Sequence, residues 1–329
     1  MFKTNCVVKI KLSLWAAFYF FDDIINLEKV MKKRNSLIEF YRFFFAMNIV
    51  KNHGYFPYQG KYFSPGRISV EFFFILSGFL LRKSLDKYIN LPYFKGLFLM
   101  LKHKILAMGI PLLVALLMHL PYKLITGSAP WWDITDWGYL WYVFDMLVID
   151  IFYFTIRKFV KKEKLFFAIA ASIFVVASVF HAIPTFFSTG WFRALGMMSL
   201  GILISYIPPI KMKKPFILLI PLIFIWCYVL RIMLFDFSFI EEEILDLLIY
   251  PALIYLTFQI PIQSKILNYL GTLSFGLFAY QSVSRLIYIL GYENVWIYFV
   301  VVVSLTIFTD GNLRLIRYLK SQKRSVEIA

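Results

Sequence analysis

Glu39, Arg42 and His53 lie along one hydrophobic stretch of the chain, and Glu71, Ser77 and Gly78 lie along the next. An imidazole that titrates near neutrality suits the removal of a proton from a hydroxyl. A carboxylate nearby could orient that ring and stabilise its charged form, as the third group of a catalytic triad does. A guanidinium presents a planar fork of donors suited to phosphate. No cysteine stands close to these residues and no Gly-x-Ser-x-Gly elbow occurs, so serine or thiol hydrolysis finds no support.

Each assignment has a plainer rival. His53 falls near the end of its stretch, about 24 Å from the other end of a helix, where a histidine could simply meet water at an interface. Glu71 could pair with Arg67, one turn before it, instead of orienting His53. Arg42 could be a structural partner of Glu39 instead of an anion site. The spacing favours a shared face. Arg42 and His53 are eleven residues apart, three helical turns plus about 20°, so they fall on one side of a helix, roughly 16 Å apart. Glu39 lies one turn before Arg42 on nearly the same side, in reach of an i,i+3 ion pair. An Arg or Glu near a bilayer centre costs at least ~3 kcal/mol, so such residues in apolar helices are functional by default.

Composition makes the apolar setting plain. The 329 residues are 60% hydrophobic, 20% aromatic and 16% charged, whereas soluble domains run to about 45–50% apolar and about 25% charged. Many runs approach the ~20 apolar residues that span a bilayer. The fold class read from this is all-α, a polytopic membrane protein with about ten transmembrane helices. The net charge of +16 does not point to nucleic acid, because the cations collect in short loops between apolar runs, as membrane insertion and anionic lipid headgroups require. Cys6 and Cys227 are far apart and imply neither a disulfide framework nor a metal site.

The spans fall near 37–56, 68–82, 95–121, 137–156, 164–182, 190–208, 215–235, 243–260, 268–289 and 294–309, the third broken near Gly109-Pro111. Alternate loops carry Lys32, Lys33 and Arg34; Arg82, Lys83 and Lys87; Arg157, Lys158, Lys161, Lys162 and Lys164; Lys211, Lys213 and Lys214; Lys265; and a tail with Arg314, Arg317, Lys320, Lys323 and Arg324. The intervening loops carry Lys61, Arg67 and Lys123 and the acidic run Glu241, Glu242 and Glu243. By the positive-inside rule both termini are cytoplasmic. Residues 1–30 read as an interfacial segment or a start-site extension, 31–312 as one transmembrane domain and 313–329 as a basic cytoplasmic tail. No internal repeat of the kind seen in inverted-repeat transporters is found.

Further polar points are Lys102, His103 and Lys104, which are snorkelling cations or an anion site; Trp141, Tyr142 and Asp145; Arg193, expected to face an internal cavity; Arg231; and Gln281, Ser282 and Arg285. Ser77-Gly78 allows close helix approach. Trp131, Trp132 and Trp137 read as an interfacial aromatic belt or as a stacking surface for sugar rings.

The acidic residue and Arg of the first helix, the ten-residue gap to His53, and the run VEFFFILSGF from Val70 to Phe79 together resemble the acyltransferase-3 family of bacterial integral-membrane acyltransferases. LWYV at Leu140 to Val143, FRALGMMSLGIL and LGTLSFGLFAYQ are similar to later motifs of that family, so the resemblance covers about residues 34 to 310. Gln281 stands where the late motif often ends in His, and Lys102 and Lys104 stand where a pair of arginines is common. The resemblance implies transfer of an acyl group, usually acetyl, from cytoplasmic acyl-CoA to a sugar hydroxyl of a cell-surface polysaccharide or its lipid-linked precursor, in a multi-pass protein of the bacterial inner membrane. Acyl-CoA is then a substrate, with no bound cofactor and no metal. His53 becomes the catalytic base or a transient acyl carrier, and Glu71 its orienting group. Arg42, Glu39, Lys102, Lys104 and Arg193 become donor-binding residues, with Ser77, Gly78, Trp141 and Gln281 packing at the site. The rival functions are a polysaccharide or lipid-precursor exporter and a non-catalytic membrane assembly partner.

Overall fold

Inside a bilayer an apolar run must satisfy its own backbone, and a helix does so within one segment. In the computed structural model, which describes residues 35–53, 65–126, 141–182, 189–209, 239–260, 262–281 and 295–328, the regular elements are all α-helices. They are α1 Ser36–His53, α2 Pro65–Tyr88, α3 Tyr93–Thr126, α4 Trp141–Phe159, α5 Glu163–Ala182, α6 Thr189–Ile204, α7 Phe239–Thr257, α8 Lys265–Tyr280 and α9 Val295–Ile328. At 51–53, 65–68, 103, 107, 118–126, 182, 189, 239–246, 295 and 315–328 only the backbone is described.

Each helix overlaps a predicted span, and α9 continues through most of the segment 313–329 read as a tail. The span predicted at 215–235 lies outside the described residues. By length and composition, two described helices suffice to cross a membrane, Glu163–His181 and Trp296–Arg314, or three if the bent α3 is one span. The measure of two or three stands against the expected ten. The other helices are short, such as Gly190–Ile204, or carry the charges that make up the candidate site.

α3 bends by 53° between Tyr93–Leu106 and Met108–Leu117. The break was expected near Gly109-Pro111 and falls around Ala107. Pro111 has no N–H to give to the carbonyl four residues earlier, and its ring clashes there, so the strain appears at Ala107.

One side chain ties two helix ends. The Asn35 carbonyl oxygen accepts from the Leu37 N–H at 3.0 Å and starts α1, while its amide nitrogen donates to the carbonyls of Thr257 and Ile260 at 2.9 and 2.8 Å at the end of α7. Both ends leave backbone groups without helical partners. Ser36 continues the joint. Its hydroxyl accepts from the Ser264 N–H at 2.7 Å and donates to Asn268 at 2.9 Å, at the start of α8.

The helix ends that carry the basic loops meet at one end of the bundle. Arg82 of α2 donates to the Ser205 carbonyl at 3.0 Å and lies 3.7 Å over the Tyr206 ring, past the end of α6. Tyr206 donates to Glu163, which also pairs with Arg157 across the α4–α5 turn. Lys158 donates to the carbonyls of Ile89 and Leu91, both at 2.6 Å, closing the α2–α3 turn.

The core between α1, α2, α4 and α7 is aromatic. Phe45 and Phe72 lie 4.3 Å apart between ring centres, Tyr250 meets Phe45 edge-on at 5.3 Å, and Phe74 lies 4.6 Å from Tyr142. α2 crosses α6 backbone to backbone. A Cβ added at Gly78 would stand 2.0 Å from the Met198 carbonyl oxygen, and one at Gly201 would stand 2.0 Å from that of Ile75. Gly78→Ala should therefore destabilise the detergent-solubilised protein by ~1–3 kcal/mol through overpacking. Gly311→Ala, where nothing lies within 4 Å, should leave the thermal midpoint unchanged or raise it.

Candidate active site

The site is built from charges that five apolar helices bury. On α1, one turn brings Arg42 Nη1 to Glu39 Oε2 at 2.9 Å, with Glu39 8% exposed and Arg42 30% exposed. Glu39 is covered by α8 at a glycine. A Cβ added at Gly271 would fall 2.0 Å from Glu39 Oε2, so no larger residue fits beside the carboxylate. Arg42 keeps more of its guanidinium open than its partner does.

Towards α4 the site continues through hydroxyls. Ser77 of α2 donates to the Met146 sulfur at 3.5 Å. Tyr142 lies against the Phe74 and Phe278 rings, 4.6 and 5.1 Å between centres. Trp141 lies 5.8 Å from the Phe74 ring and flanks Tyr142 at the start of α4.

Glu71 pairs with Arg193. Nε and Nη2 of Arg193 approach Glu71 Oε1 at 2.7 and 2.6 Å, and both side chains are buried. This partner was not anticipated. Glu71 had been weighed as a partner of Arg67 or of His53, and Arg193 as a separate cation facing a cavity. The side chains of Arg67 and His53 lie outside the described residues. Glu71 and Arg193 are 122 positions apart, and only the general need of a buried carboxylate for a counter-charge hinted at the pair.

A third pair also escaped the sequence reading. Lys104 of α3 reaches Asp150 of α4 at 2.5 Å, with Asp150 fully buried and Lys104 24% exposed. Asp150 sits in the apolar run MLVIDIFYF, and that setting was its available signal. Lys102 departs from Lys104 and lies 5.9 Å over the Phe98 ring, so the two lysines do not form one cluster. Two further polar residues are sealed in the bundle. Asp145 is 8% exposed with no hydrogen bond or ion pair among the described residues. The buried side-chain oxygen of Gln281 at the end of α8 likewise lacks a partner there, although the Gln281 carbonyl accepts from Tyr298 at 3.2 Å.

His53 is the last residue of α1. By helical register it falls on the side that carries Arg42, Ala46 and Val50, and the last two pack among Leu277, Tyr280 and Tyr298. Measured along the helices from the basic end, Lys104 and Asp150 lie roughly 15 Å in, and His53, Glu71 and Gln281 roughly 25 Å in. The predicted points Arg231, Ser282, Arg285, Trp131, Trp132 and Trp137 lie outside the described residues.

A family model described as an acyltransferase domain, that of acyltransferase-3, matches residues 37–309. No curated protein and no solved structure matches.

Neutralising one member of a buried pair strands the other charge. Glu71→Gln or Arg193→Gln alone should each cost ~3–5 kcal/mol of stability in detergent, and the double variant should cost clearly less than their sum. Additive losses in that double-mutant cycle would show that the two residues do not interact.

Proposed function

We propose that this chain, which belongs to the acyltransferase-3 family, moves an acyl group, acetyl in the usual case, from cytoplasmic acyl-CoA to a sugar hydroxyl of a cell-surface polysaccharide or its lipid-linked precursor. Membrane acyltransferase is the class; the donor, the acceptor and the residue roles are the reading argued here. The observation that carries it is the set of three charge pairs held inside the bundle by α1, α2, α3, α4 and α6. Buried charges at such a density mark a site that handles polar substrate.

In this reading the chain spans the bacterial inner membrane about ten times with both termini cytoplasmic. The gathering of the basic helix ends supports that orientation. Arg42, open beside its Glu39 partner, contacts the donor's charge or its thioester. Lys104, Lys102 and Arg193 belong to the donor side, and Glu71, anchored by Arg193, stands at the depth of His53. His53 takes the proton of the acceptor hydroxyl as its oxygen attacks the thioester carbonyl carbon. The carbon–sulfur bond breaks, and the thiolate leaves and takes up a proton, giving an ester and free CoA. The acceptor is a glycan held among membrane lipids, with no nucleic acid involved.

The test is NMR of purified surface polysaccharide from cells with and without the protein. Loss of the gene product should remove O-acyl signals while leaving the amount of polysaccharide unchanged; a fall in amount at constant acyl content would point to an exporter. His53→Ala should abolish the acyl signals at an undiminished membrane level of the protein, and retained acylation in that variant would sink the mechanism.

A further inference from the structure

The Lys104–Asp150 pair is incompletely used. Asp150 Oδ2 accepts from Lys104, while Oδ1 is buried with no hydrogen-bond partner. Of the three N–H groups of the Lys104 ammonium, one is engaged among the described residues. An acceptor sealed from water without a donor is expensive. A pair serving only to fasten α3 to α4 would gain from closing that oxygen with a protein group. One open acceptor and two open donors side by side are the complement of a secondary amide, whose N–H meets the carboxylate and whose carbonyl meets the ammonium.

The position of the pair fits such a ligand. It lies roughly 16 Å from the start of α3 and roughly 14 Å from the end of α4, between the basic end and the level of His53, roughly 26 Å along α1. The pantetheine arm of acyl-CoA carries secondary amides between its diphosphate and its thioester. A thioester that reaches the level of His53 from the basic end draws an amide past the intermediate level of the pair. We propose that Asp150 and Lys104 form a subsite that binds an amide of the pantetheine arm, Asp150 accepting its N–H and Lys104 donating to its carbonyl. The proposal rests on the acyl-CoA donor assigned above.

The test compares two acetyl donors in membrane vesicles, with the cell's own polysaccharide, stripped of esters by mild alkali, as acceptor. One donor is S-acetyl-N-acetylcysteamine, which keeps an amide; the other is phenyl thioacetate, which has none. Asp150→Leu combined with Lys104→Met replaces both charges by apolar groups, a change that buried pairs often tolerate. The ratio of kcat/KM for the amide-bearing over the amide-free donor should fall about tenfold in the double variant, the scale of a lost buried hydrogen bond. A purely structural role would lower both donors together, and a ratio at its wild-type value would overturn the subsite. A second measurement needs no turnover. Free pantetheine should raise the Tm of the purified wild-type protein and not that of the double variant; equal shifts, or none in either, overturn the subsite. If the wild type transfers acetyl neither from these donors nor from acetyl-CoA, the acyl-CoA reading fails, and the pantetheine shift alone then decides the subsite.

Discussion

A charge inside an apolar helix needs a counter-charge, and the arrangement of this bundle follows from that need. Glu71 draws α2 to α6 through Arg193, and Asp150 draws α4 to α3 through Lys104. The backbone has made room for the first of these pairs. With no side chain at Gly78 or Gly201, α2 and α6 touch directly, and the short interhelical distance lets Arg193 place two nitrogens on one carboxylate oxygen. α1 solves the same problem within one turn, Glu39 taking Arg42, and α8 closes over the carboxylate at Gly271. At the α2–α6 crossing packing and electrostatics are one requirement, since the glycines set the distance over which Glu71 and Arg193 close.

What could be read in the sequence depended on whether the physics was local. Helices follow from apolar runs, the Glu39–Arg42 pair from a three-residue spacing, and the α3 bend from Pro111, whose effect appears one turn upstream. Periodicity also separates Lys102 from Lys104 by about 200° around a helix, so their divergence was legible in principle. The long-range partners were not. Nothing along the chain tells Glu71 that its cation is Arg193, because the α2–α6 crossing decides it. Asp150 drew no notice in its greasy run, because its cation Lys104 comes from another helix, α3. The family assignment needed less, because it rests on short motifs around Arg42, His53 and the Val70–Phe79 run.

The hydroxyl and aromatic groups join the charged ones into a graded interior. Tyr142 meets rings from α2 and α8, Phe74 at 4.6 Å and Phe278 at 5.1 Å. Asp150 and Lys104 pair about 12 Å nearer the basic end. At the height of Tyr142 the outer halves of α1, α2 and α8 bring His53, Glu71 and Gln281 to similar levels. From the basic end inward come the cations of the helix ends, then the Lys104–Asp150 pair, then the level of His53.

The Asn35 and Ser36 joint gives that ordering a common zero. One amide closes the end of α7 and opens α1, and the neighbouring hydroxyl fixes the first turn of α8. Heights along α1 and α8 are thereby counted from the same plane. Glu39, one turn into α1, meets Gly271, nearly two turns past Ser264 on α8. The joint works as the fixed stop of a calliper, the one level from which positions along α1, α7 and α8 are all counted.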